Sequence, residues 1–125
     1  MLRVGVRRIV PDFQADEPAA SRSFYVDVVG LEVAMDQGWI VTFAAPNNPT
    51  AQISVMRQDA TAAVQPSVSI EVDDVDAVNA EAQRLGYDTV HPLTTEPWGV
   101  RRFFVRDLTG RVVNILTHVS ERVRS

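Results

Sequence analysis

Few residues in this chain are of a type that does covalent chemistry, and their spacing rules out most of the reactions they would serve. There is no cysteine, so thiolate nucleophiles, disulfides and thiolate metal sites are excluded. The two histidines, His91 and His118, stand 27 positions apart. They form no HExxH motif and no pair at helical spacing, and each reads by default as an exposed or capping imidazole. There is no GxSxG elbow and no glycine-rich phosphate loop. The acidic pair Asp73-Asp74 precedes an apolar-periodic run and is better explained as a helix cap than as a general acid. Asp107, in the turn RDLTG, most simply fixes that turn. What remains is suited to binding: two tryptophans, Trp39 and Trp98, and the pair Arg101-Arg102. By strand alternation one arginine of the pair points inward and the other outward. An unpaired inward arginine would favour an anion.

These residues need elements to position them. The chain of 125 residues is one domain by length, and its net charge of −4 argues against a nucleic-acid backbone as partner. All 12 basic residues are arginine, which reads as codon bias rather than function. No apolar run approaches a membrane span, and MLRVGVRRIVPDF is too short and interrupted for a signal peptide. A cytoplasmic protein is expected, with no membrane and no nucleic acid among its partners.

The chain repeats one plan. The first half predicts a strand over Val4 to Phe13, a helix over about Pro18 to Val29, and strands over Leu31 to Asp36, Trp39 to Ala45 and Ala51 to Met56. The second predicts a strand over Val68 to Val72, a helix over about Val75 to Leu85, and strands near Asp88 to His91, Arg101 to Arg106 and Arg111 to Thr117. Gly30 and Gly86 end the helices. Asp16-Glu17-Pro18 and Asp73-Asp74 start them. Ala20, Phe24 and Val28 are spaced by four, and Phe24 and Tyr25 are expected in the core. In the second helix Val75, Val78, Ala82 and Leu85 form the apolar stripe. The organisation expected is thus a single domain, 1–125, of two βαβββ modules, 1–57 and 67–119, joined by a linker over 58–66. The fold class is α+β, a curved mixed sheet around a cleft with helices outside. On the last strand Val112, Asn114 and Leu116 would face the cleft, with Val113 and Ile115 turned to the helix.

Three segments, SFYVDVVGLEV from Ser23 to Val33, VDDVDA from Val72 to Ala77, and the hairpin EPWGVRRFFVRDLTGRVVNIL from Glu96 to Leu116, resemble the vicinal oxygen chelate superfamily across nearly the whole chain. That superfamily holds glyoxalase I, extradiol dioxygenases and the bleomycin-resistance binding proteins, and the Pro-Trp-Gly turn is most similar to the last branch. In metal-dependent members, the first and last strands of each half supply one ligand each. Aligned on the landmarks of this sequence, the four places are Val10, Ser54, Ser67 and Asn114; Ser54 and Asn114 are 60 apart, Val10 and Ser67 57 apart. Valine has no donor, and neutral hydroxyls and an amide hold divalent ions poorly. A shift of register brings in Gln52 or Glu71 at best. The resemblance therefore implies a protein with no metal and no other cofactor, binding a drug-like or aromatic small molecule by sequestration, as in antibiotic resistance. The alternative is a metal-dependent lyase or oxygenase of the glyoxalase or dioxygenase kind. Candidate ligand-binding residues are Trp98 and Gly99 of the Pro-Trp-Gly turn, Trp39, Asn114, Ser54, Ser67, Gln52 and Arg102. For both tryptophans the alternative is plugging the end of the sheet. The resemblance also implies a homodimer, with an N-terminal strand that could exchange between subunits about the hinge QADEP.

Overall fold

The computed structural model describes residues 4–59 and 61–119; residues 1–3 of the expected first module, Ala60 of the expected linker and residues 120–125 lie outside them. Eight strands form one sheet: β1 (Val6–Gln14), β2 (Glu32–Asp36), β3 (Ile40–Ala45), β4 (Asn48–Met56), β5 (Val68–Val72), β6 (Thr89–Thr95), β7 (Val100–Arg106) and β8 (Val112–His118). Their spatial order is β2-β3-β4-β1-β5-β8-β7-β6, so each half keeps its four strands together and the halves join through β1 and β5. Within each half the first and last strands run parallel, β1 with β4 and β5 with β8; the central pair β1 and β5 is antiparallel. The fold is α+β, and the sheet curves around a cleft.

One face of the sheet carries the helical segments. Helix α1 (Val75–Arg84) lays Val75, Val78 and Ala82 on Val72, Phe103 and Ile115, with Val113 and Val105 beside them. Its N-terminus is capped as the sequence predicts: the Asp74 carboxylate accepts from the Ala77 N–H at 3.1 Å. Asp73 serves elsewhere, its carboxylate accepting from the Gly5 N–H at 3.1 Å. A Cβ on Gly5 would lie 2.6 Å from Asp73 Oδ2, so a larger residue here would push the Asp73 carboxylate off this hydrogen bond. Leu85, expected in the apolar stripe, is the C-cap residue and is exposed.

The other helical segment departs from expectation. In place of an α-helix there is a 3-10 turn (Pro18–Ser21) followed by a π-helical stretch (Ser23–Val28). Glu17 is the N-cap residue but makes no side-chain cap hydrogen bond. The run SFYVDVV is made of serine, aspartate, aromatic and β-branched residues, which hold a regular α-helix poorly. The irregular winding turns Tyr25 and Val26 onto Val41, Phe43 and Val55 but leaves Phe24 54 % exposed. The expectation that Phe24 packs in the core is therefore corrected. Gly30 takes φ of 91°, the left-handed turn that lets the chain leave this segment for β2.

Two strands run longer than predicted. β4 begins at Asn48, after an irregularity opposite Ala45. β6 extends to Thr95 through Pro92, which the sheet accommodates because β6 is an edge strand with shifted register.

Candidate functional site

The face of the sheet opposite the helical segments lines a cavity of about 470 Å³. Alternation along β1 aims Arg8, Val10 and Asp12 into it; β4 contributes Gln52, Ser54 and Met56, β5 Ser69 and Glu71, and β8 Asn114, Leu116 and His118. Thr42 of β3, Arg102 of β7 and both tryptophans complete the wall. Val112, expected in the cleft, instead packs with Phe104 and Ala62, where the loop between β4 and β5 folds over that end of the sheet.

Three polar assemblies organise the cleft. The first is a chain from Asp12 through Ser69 to Asn114. The Ser69 hydroxyl lies 2.6 Å from Asp12 Oδ2, and Asn114 Nδ2 donates to Ser69 Oγ at 3.0 Å. Register puts Asp12 beside Ser54 and Ser69 beside Asn114. Burial pushes the Asp12 carboxyl up to about 7; the Ser69 hydrogen bond pulls the other way, and the Asp59 charge adds to the rise. Asn114 Oδ1 is buried and has no hydrogen-bond partner among the described residues. Across the floor, the Thr42 and Ser54 hydroxyls share a hydrogen bond of 2.7 Å.

The second assembly surrounds Arg102. This guanidinium is only 4 % exposed. Its Nη atoms donate to the two Asp59 oxygens at 2.8 and 2.7 Å, and Nε to Glu96 Oε2 at 2.8 Å. Its Cζ lies 5.1 Å from the Trp98 ring centroid and 4.8 Å from that of Phe104. Burial opposes ionisation of both carboxylates, but the Arg102 contacts outweigh it. They are aided by backbone N–H groups of Thr61 and Ala62 at Asp59 and by His91 at Glu96, so both carboxyls stay below their ordinary range. Arg102 is thus the inward arginine and is fully ion-paired; Arg101 points outward to Asp76 at 2.8 Å.

The third assembly centres on Arg8, where the first and last strands of both halves converge. Its Nε donates to Glu71 at 2.6 Å and its Nη1 to Gln52 at 2.7 Å; Glu71 also meets His118 Nδ1 at 2.9 Å. Burial works against the Glu71 charge, but His118 and Arg8 together hold its carboxyl below the usual range.

The tryptophans stand where two equivalent turns, one before β3 and one before β7, approach each other at the cleft wall. Their centroids are 5.8 Å apart, edge to face at 64°. Both rings are half-buried. Gly99 has φ of 89° and closes the turn from Glu96 to Val100, with open space around a Cβ built on it.

Of the residues singled out from sequence, Trp39, Gln52, Ser54, Trp98, Arg102 and Asn114 share this cleft. Gly99 sits in the adjoining turn, and Ser67 is exposed at the mouth of β5 outside the lining, its place taken by Ser69. Glu71 lines the wall with no slip of register, because it lies two residues beyond Ser69 on the same face. Sequence reasoning missed Arg8, Asp12 and Asp59. The first two follow from Val10 by the same period of two; Asp59 lies in an irregular loop and carries no such signal.

No curated protein sequence matches the chain. Among solved structures, a protein from Legionella pneumophila described as an NAD-dependent benzaldehyde dehydrogenase superposes with TM-score 0.70 at 16 % identity, covering 88 % of this chain and 98 % of its own. A glyoxalase/bleomycin resistance protein/dioxygenase superfamily member from Vibrio splendidus gives 0.62 at 18 % identity, with 90 % and 99 % covered. A point variant of homoprotocatechuate 2,3-dioxygenase from Brevibacterium fuscum gives 0.69 at 20 % identity over 94 % of this chain and 34 % of its own, so this chain spans about a third of that enzyme. At these identities the likeness is one of fold. The sequence profile that matches covers residues 7–115. By that match the chain belongs to the Glyoxalase/Bleomycin resistance protein/Dioxygenase superfamily.

Proposed function

We propose that this protein binds a flat, drug-like or aromatic small molecule in the cleft and acts by sequestration without a metal, as bleomycin-resistance proteins do. The observation that carries this reading is what stands where the metal-dependent members of the family hold their ion. Val10 offers no donor, the Ser54 hydroxyl is committed to Thr42, Ser67 lies outside the lining, and Asn114 offers only an amide. Such a set does not fit a divalent ion, which calls for carboxylate or imidazole donors. Among the described residues no group of three or more His, Asp or Glu is arranged to hold one. Beside this floor are two tryptophan rings and a cavity whose volume is of the size that takes a drug-like ligand.

The test is the shift in melting temperature on adding metal-free bleomycin in chelator-treated buffer. Ligand at about 100 times its dissociation constant adds about 2.7 kcal/mol, several degrees for a domain of this size. No saturable shift with bleomycin or with a panel of flat aromatic compounds refutes the reading.

A second reading, a metal-dependent lyase or oxygenase, is favoured by one feature: Glu71 and His118 touch inside the cleft. Against it, the Arg8 guanidinium already occupies Glu71, and a metal there would displace a cation held by two hydrogen bonds. This reading requires bound metal after purification without added metal; a content well below one ion per two chains rules it out.

We further read the chain as one domain of two modules, acting in the cytoplasm as a homodimer. No described helix is long and apolar enough to cross a membrane. Ile9, Phe13, Phe24, Val28 and Val29 are each 46 to 71 % exposed, apolar surface that a second copy would cover. The chain's own β1 pairs with β4 and β5 at the centre of the sheet, the place an exchanged strand would take.

A further inference from the structure

The cleft floor distinguishes donors from acceptors. Ser69 has one hydroxyl proton and stands between Asp12 and Asn114. An ionised Asp12 has no proton to give, so it receives the Ser69 proton. Ser69 can then only accept from Asn114, which turns the amide nitrogen toward Ser69 and leaves the carbonyl Oδ1 facing away from it. That oxygen is the buried acceptor without a partner, on a side chain 8 % exposed that lines the cleft. Leaving such a group unpaired is unfavourable, so a donor that reaches it gains affinity. The Ser69 bond is made to Asp12 Oδ2, and Asp12 lines the same cleft.

The charges around the cleft point the same way. The guanidiniums of Arg8 and Arg102 are matched by Glu71 and by Asp59 with Glu96. Among the described residues Asp12 has no cationic partner of its own. The four carboxylates Asp12, Asp59, Glu71 and Glu96 outnumber these two guanidiniums, and both guanidiniums are ion-paired. An acceptor floor in a carboxylate-rich cleft beside two aromatic rings has a defined complement.

We propose that Asp12 and Asn114 select a planar cation bearing N–H donors, an amidinium or a protonated aminoheteroaryl group, with its N–H groups on Asp12 and Asn114 Oδ1 and its ring beside Trp39 and Trp98. This deepens the small-molecule reading and rests on it. A charged donor on a carboxylate is roughly twice as strong as its neutral counterpart, and a site that leaves buried acceptors unpaired discriminates against ligands lacking the donors.

The probes are benzamidine, a planar cation, and benzamide, its neutral near-isostere, titrated against the intact protein at about pH 8.5, where Asp12 is ionised. Trp39 and Trp98 are the two tryptophans of the chain, so their emission reports binding; calorimetry gives the affinity. Benzamidine is expected to bind at least about tenfold tighter than benzamide, a difference of about 1.4 kcal/mol. Asp12→Asn should close that gap, and Asn114→Leu should weaken benzamidine with a smaller effect on benzamide. Circular dichroism of each variant confirms folding. Equal affinity for the two probes, or a benzamidine affinity unchanged in Asp12→Asn, overturns the ligand class while leaving a small-molecule cleft. Binding of neither probe overturns it too, and the bleomycin melting shift then decides the broader reading separately.

Discussion

Replacing Asp12 by asparagine removes a carboxyl that the fold makes costly to ionise. Burial raises it from an ordinary 3.8 to about 7. A group whose folded pKa is raised imposes no cost where both states are protonated. The cost grows as pH rises from the unfolded value toward the folded one, and it levels off above. At about 1.36 kcal/mol per unit the full shift corresponds to about 4 kcal/mol, of which about 2.5 kcal/mol accrues between roughly pH 5 and pH 8. Asparagine has the same shape and does not titrate. It can still accept from Ser69, so the floor keeps its packing. The assay is urea unfolding of wild type and Asp12→Asn at the two pH values, comparing the difference between the proteins so that the titration of other groups largely cancels. The expected result is that wild type loses about 2.5 kcal/mol relative to the variant on going from the lower pH to the higher. A difference that stays flat within about 0.5 kcal/mol would mean that folded Asp12 is ionised throughout this range. The description of the floor as a desolvated acid would then be wrong.

Arg102→Leu leaves Asp59 and Glu96 buried without their cation and should cost about 3–5 kcal/mol in denaturant unfolding; a loss under about 1 kcal/mol would show that these carboxylates are solvated. Because both carboxyls are held below their ordinary range, their stabilisation is present above about pH 4.5 and is lost as pH falls through the folded values. Asp59→Asn should therefore flatten the acid limb of the stability profile. Asp74→Ala removes the side-chain cap of α1 and should cost about 1 kcal/mol, whereas Asp16→Ala, at a helical start with no side-chain cap, should cost close to nothing. Phe24→Ser with Val28→Ser should leave the monomer's unfolding free energy within about 1 kcal/mol, since both side chains are exposed. Light scattering should show the same double substitution dissociating a homodimer; a variant that stays dimeric places the interface elsewhere.

Sequence alone carried the plan of the fold because its signals are local. The apolar clusters beneath the two helical segments rest on Phe43 and Phe103, 60 positions apart and both fully buried. Gly30 and Gly86 end their helical segments with φ of 91° and 79°, as the need for a left-handed residue implies. Period-two alternation put Asn114 and Leu116 on the cleft face and Val113 and Ile115 on the helix face. The failures are equally local. Spacing by four suggested an α-helical stripe through Phe24, but the β-branched and aromatic run winds as a 3-10 and a π-helical turn and puts that ring outside.

Residue types and alternation fixed much of what the cleft is made of: no thiol, no imidazole at the four family positions, two tryptophans and one arginine of the Arg101-Arg102 pair. Which arginine turns inward depends on the register of β7 against β8, and what it meets depends on a loop that brings Asp59 to it from 43 residues away. The same holds for Asp12, whose carboxylate meets the Ser69 hydroxyl from 57 residues away. Long-range pairing across the β1–β5 seam, together with burial that no local pattern encodes, turned an ordinary aspartate into a desolvated acid and an apparently free arginine into a neutralised one.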